Sequence, residues 1–272
     1  MNRTALRFFY KLMFLVTLSL ASMPGLGQDE KQLQGAASKA ANENELQAGD
    51  VAAVLNAGDV NGLKALIALH PRLPEAIITE DGAIVLEYAA VTGNTNTLRV
   101  LIEAKAPLNS QDKLKRTALY MAVANECQDA ALQLIAAGAD TKLGDAVNAT
   151  PLHLAAKLGF TNVVESLIAH STDVSARTVQ GTPPLAMAAY GGHLATVQLL
   201  CEKSANVNDK NANDVTVLHY AALSKKPEIV RYLLGKGANR DAKDNEGKTP
   251  ADWARSAGSP EVEALLTETE KR

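Results

Sequence analysis

"TPLHLAAKLG", from Thr150 to Gly159, is rich in apolar residues, carries one histidine, and returns along the chain. Aligned on Thr150, related stretches start at Ile84 (IVLEYAA), Thr117 (TALYMAV), Pro183 (PPLAMAA), Thr216 (TVLHYAA) and Thr249 (TPADWAR). Each start lies 33 residues after the one before it, without an insertion. Self-similarity at a fixed period of this size marks a stacked-repeat architecture, in which each unit buries its apolar face only against its neighbours.

The unit at Thr150 predicts its own local structure. Thr150 caps a first helix and Pro151 suits its first position. Leu152, Leu154, Ala155 and Ala156 form an apolar face, with alanines that permit close helix approach. Gly159 ends the helix in a tight turn. Thr161 opens a second helix with Val163, Val164, Leu167 and Ile168 at helical spacing. The units then leave through "GADTK" at Gly138, "SANVN" at Ser204 and "GANRD" at Gly237, with Lys105, Ser171 and Ser204 where Gly138 and Gly237 supply a left-handed residue. At the turn tips Asp112, Asp145 and Asp244 share one position, with Thr178 and Asn211 as substitutes; such side chains stabilise turns by bonding their own backbone.

The ends depart from the frame. Residues 45–78 contain a helix–Gly–helix pattern without a Thr-Pro start, and Gly58 sits two residues early, so "RLPEAII" (Arg72 to Ile78) holds a two-residue insertion. This region is expected to form an N-terminal cap. "SPEVEALLTETEKR" places Val262, Leu265 and Leu266 on one face of a final, sealing helix. The total is about seven units, six regular and one divergent.

The period and the Thr-Pro-Leu-His pattern resemble the ankyrin repeat over about residues 45–270. The resemblance implies an all-α solenoid of helix-turn-helix units with hairpin-like turns between them. It also implies that His153 and the equivalent His219 are structural, tying adjacent units near the threonine, and that His193 sits at an inter-helix turn. Glu87, Tyr120, Ala186 and Asp252 hold the histidine's place elsewhere, which argues against a repeated catalytic base.

In ankyrin proteins partners usually contact the turn tips and the exposed ends of the first helices, on the concave side. Mapped by frame, the expected partner-binding residues are Lys113, Leu114, Arg116 and Asn125; then Val147, Lys157 and Leu158; then Arg177, Val179, Gln180, Tyr190 and Lys210. Glu80 and Asp81 precede them. Cations mixed with Leu, Val and Tyr imply another protein as partner, acidic at its contact surface.

Ahead of the repeats, Arg3, Arg7 and Lys11 precede an uncharged run from Leu12 to Leu26, broken by Pro24 and Gly25. This is the layout of a secretory signal peptide over residues 1–27, followed by a flexible polar lead-in over 28–44 and a repeat domain over 45–272. Cleavage ahead of Gln28 removes three cations and no acid, taking the net charge from −3 to −6. An acidic exported chain is a poor nucleic-acid binder, and after cleavage no membrane association is expected.

The two cysteines, Cys127 and Cys201, lie two units apart in the frame, on the order of 20 Å at one helix diameter per unit. That is beyond disulfide reach. No phosphate loop, GxSxG, CxxC or HExxH motif occurs, and no pair of histidines has metal-ligand spacing. The sequence therefore predicts a monomeric, non-catalytic interaction protein of the exported bacterial type, periplasmic or secreted, without cofactor or metal. The alternative is a periplasmic immunity or inhibitor protein that neutralises a toxin or enzyme.

Overall fold

The computed structural model describes residues 48–268; the expected signal peptide at 1–27 and lead-in at 28–44 lie outside the described residues. Seven helix pairs follow in order: α1 (Ala48–Ala57) and α2 (Val60–Leu69), α3 (Val85–Thr92) and α4 (Thr95–Glu103), α5 (Ala118–Ala124) and α6 (Gln128–Ala136), α7 (Pro151–Leu158) and α8 (Thr161–Ala169), α9 (Pro184–Gly191) and α10 (Leu194–Glu202), α11 (Val217–Leu223) and α12 (Pro227–Gly235), and α13 (Pro250–Ser256) and α14 (Pro260–Thr267). Among the described residues there is no strand; Ile77 with Ile84 and Lys210 with Thr216 form isolated antiparallel bridges. Odd-numbered helices pack on one another in an inner layer, even-numbered ones in an outer layer.

From α3 onward each inner helix starts where the threonine frame predicts. Thr117 Oγ1 accepts from the Tyr120 N–H at 3.2 Å, and Thr249 Oγ1 accepts from the Asp252 N–H at 3.3 Å. Ile84 and Pro183 lack a capping oxygen, yet hold the same extended backbone. Neighbouring inner helices approach closely because the fifth residue after every anchor is alanine: Ala89, Ala122, Ala155, Ala188, Ala221 and Ala254, all fully buried. In the outer layer the seventeenth residue is always leucine: Leu101, Leu134, Leu167, Leu200, Leu233 and Leu266, also buried. Burying each such leucine contributes about 1.5–3 kcal/mol, so this one frame position outweighs any single polar contact in the stack.

Three turns per unit require left-handed backbone. At the outer-helix ends Gly138 and Gly237 take φ of 89° and 84°, while Lys105, Ser171 and Ser204 are forced to 60°, 63° and 69°. At the turn tips Lys115, Asn148 and Asp214 hold φ of 57–60°, a position the turn-residue pattern alone did not expose.

The N-terminal cap is built differently. Asp59 caps α2 through the Gly62 N–H at 2.9 Å, and the inserted residues form a short 3₁₀ helix, Leu73–Glu75, that buries Leu73 and Pro74. At the other end α14 buries Val262 and Leu266, with Leu265 half-buried. No helix among the described residues is long and apolar enough to cross a membrane. Cys127 and Cys201 are half-buried and form no disulfide; Cys127 Sγ lies 3.5 Å from the Val91 carbonyl of the preceding unit.

Candidate partner-binding surface

The turn tips are formed from within. Asp112 Oδ1 accepts from the Leu114 and Arg116 N–H groups at 2.9 and 2.8 Å. Asp145 does the same for Val147 and Ala149, Asn211 for Asn213 and Val215, and Asp244 for Glu246 and Lys248. Thr178 makes one such bond, to the Thr182 N–H. Each tip is then joined to the next through the backbone. The N–H of Lys113 donates to Asp81 O at 2.9 Å, Ala146 to Leu114 O at 3.0 Å, Val179 to Val147 O at 2.9 Å, Ala212 to Gln180 O at 2.8 Å and Asn245 to Asn213 O at 3.0 Å. Successive tips thus form one hydrogen-bonded row rather than independent loops.

Apolar side chains project from this row. Leu114 is 51% exposed, Val147 45% and Val179 69%. The exposed Gln180 sits beside them, and the groove between the Val179 tip and the next is lined by Arg177, Asn208, Asp209, Lys210 and Ala212. Asn125, Lys157 and Tyr190 are exposed too, but stand at the far ends of α5, α7 and α9, about 10 Å from the helix starts at about 1.5 Å per residue. The predicted set therefore forms two parallel rows, tips and helix ends, along the inner layer. Leu158 is half-buried at the end of α7.

Most cations of the expected set have partners within the row. Arg116 points inward: its guanidinium bonds Asp112 and Asp81, at 2.6 and 2.7 Å, and its side chain is only 18% exposed. Arg177 pairs with Asp209 at 2.9 Å and donates to the Gly181 and Lys210 carbonyls. Lys210 pairs with Asp214 at 2.6 Å, and Lys113 Nζ donates to Glu80 O at 2.8 Å. These cations hold the tips together, Arg116, Arg177 and Lys210 through carboxylates and Lys113 through a backbone carbonyl. Lys157 takes part in no ion pair among the described residues.

The histidines are structural. His153 Nδ1 lies 3.1 Å from the Thr150 N–H and 2.8 Å from its Oγ1, while Nε2 reaches Thr182 O of the next unit at 3.1 Å. His219 repeats this with Thr216 and Lys248 O. Burial holds both imidazoles below their ordinary pKa. His193 also crosses between units, to Lys157 O at 3.1 Å.

An aromatic row was not anticipated. Tyr190 meets Tyr220 edge-on at 6.4 Å, Tyr220 meets Trp253 at 6.4 Å, and Trp253 meets His219 at 5.3 Å. Tyr220 and Trp253 share the fourth position after their anchors, the one sequence signal that links them. Their polar atoms are engaged: Trp253 Nε1 donates to Asp244 Oδ2, and Asn211 Nδ2 donates to the Tyr220 hydroxyl.

Family models of ankyrin repeats match most of the chain. One of three copies matches residues 51–145 and again 132–211, and one of many copies matches 199–254. The chain belongs to the ankyrin-repeat family, whose repeats generally mediate protein–protein interaction and are typically non-catalytic. No curated protein matches the chain itself.

Proposed function

We propose that this chain is a non-catalytic interaction protein of an exported bacterial type, which acts in the periplasm or outside the cell as a monomer and binds a protein partner along its row of turn tips. The observation that carries this reading is the run Leu114, Val147 and Val179: three exposed apolar side chains on consecutive tips whose backbones are bonded to one another. A rigid row needs little ordering on binding, which favours affinity. The partner is complementary in presenting apolar groups to the tips and acidic groups near Lys113 and Lys157. Export rests on the cationic start, short apolar run and small residues before Gln28.

The test is capture from the exported fraction with wild type and a Leu114→Asp/Val147→Asp/Val179→Asp variant of unchanged circular dichroism. A protein held by wild type and released by the variant supports the reading; equal capture by both contradicts it. If the captured protein is an enzyme or toxin whose activity falls on binding, the chain is an immunity or inhibitor protein.

A further inference from the structure

The register position of His153 and His219 is held by Glu87 in the first regular unit. In both histidine units Nδ1 serves the unit's own helix start, and Nε2 crosses to a carbonyl one residue before the next anchor. That carbonyl also accepts a turn N–H: Thr178 N to Thr182 O at 3.2 Å, Asp244 N to Lys248 O at 3.0 Å. In α3 the position belongs to Glu87, which is 1% exposed. Its Oε2 takes over the Nδ1 role, accepting from the Ile84 N–H at 2.7 Å. Its Oε1 is buried and has no hydrogen-bond partner. The carbonyl one residue before the next anchor is that of Arg116, which accepts from the Asp112 N–H at 3.1 Å like its counterparts.

A carboxylate oxygen beside a carbonyl oxygen is repulsive, whereas a protonated carboxyl donates. We propose that Glu87 is kept as the neutral acid and that its Oε1–H donates to the Arg116 carbonyl, a proton-operated tie between the first two regular units where others use histidine. The surroundings agree. Burial raises the Glu87 pKa to about 7; the Ile84 N–H and the Arg116 guanidinium oppose the shift, and the Asp112 and Asp81 carboxylates assist it. From the elements packed on α3, the other titratable groups are Tyr120 of α5, half-buried, and the exposed Asp50 of α1, Arg99 and Glu103 of α4, and Glu75 of the 3₁₀ helix.

A carboxyl whose folded pKa is raised stabilises the fold fully below its unfolded value, and that stability is lost as pH rises through the folded value. The junction between α3–α4 and α5–α6 is therefore tight at pH 5.5 and loosened at pH 8. Histidines titrate in the opposite sense over part of this range, so the test compares wild type with Glu87→Gln at each pH. The Gln amide donates at both. Amide hydrogen exchange of the purified protein is followed over residues 84–103. Relative to the variant, wild-type protection is expected to fall about tenfold or more from pH 5.5 to pH 8. An unchanged ratio overturns the proposal. Should the Gln variant fail to fold, a carbon-13 titration of the wild-type Glu87 carboxyl decides: a midpoint near 7 supports the tie, and one below 5 removes it.

Discussion

Single residues hold the unit junctions, and His153 is the clearest case. Its ring satisfies a donor in its own unit and reaches a carbonyl in the next. His153→Ala leaves the buried Thr150 N–H without an acceptor and removes the cross-unit bond; a loss of about 2 kcal/mol is expected from urea unfolding. The pH response follows from the depressed imidazole pKa values. The unfolded chain takes up protons more readily, so the histidine contribution is complete above about pH 6.5 and declines as pH drops below it. A His153→Gln/His219→Gln variant should show a flatter acid limb than wild type in urea midpoints measured between pH 4.5 and pH 7; an identical limb refutes this. The structural role was legible through the resemblance of the Thr-Pro-Leu-His frame to the ankyrin repeat, with histidine at two of the six frame positions. Glu87 was not, because a carboxyl among apolar neighbours carries no sign in the sequence of which oxygen is left unpaired.

At the level of elements, the threonine starts, the alanine and leucine frame positions and the helix ends all followed from the period. Left-handed residues at the tips did not: Lys115 and Asp214 are ordinary surface types, and only the backbone reveals φ of 60° and 58°. This gives a pair of opposite predictions. Ser171→Gly relieves a left-handed serine and is expected to stabilise by about 0.5–1 kcal/mol, read from the denaturation midpoint. Gly159→Ala adds a Cβ 2.3 Å from His193 Nδ1 at φ of 74°, and is expected to destabilise by more than 1 kcal/mol. It should also weaken the His193–Lys157 bond between α7 and the start of α10, visible as faster exchange at the first amides of α10. The N-terminal cap was foreseen as divergent, but its 3₁₀ helix was not, since three residues are too few to show a period.

For the whole molecule, the frame showed which residues share a turn tip but not how their charges pair. Arg116, Arg177 and Lys210 looked available because their acidic partners, Asp81, Asp112, Asp209 and Asp214, come from other tips or from the far side of the same turn. Reversing Arg116 or Arg177 would thus break the row itself, and the apolar tips are the sharper probes of recognition. The most direct measurement places a photo-crosslinking side chain at Val147, on the row of tips, or at Glu165, on the exposed face of the outer helix α8. Each protein is irradiated with the exported fraction. The account predicts a discrete adduct from Val147 and none from Glu165. An adduct from Glu165 with none from Val147 would put recognition on the outer layer and contradict it.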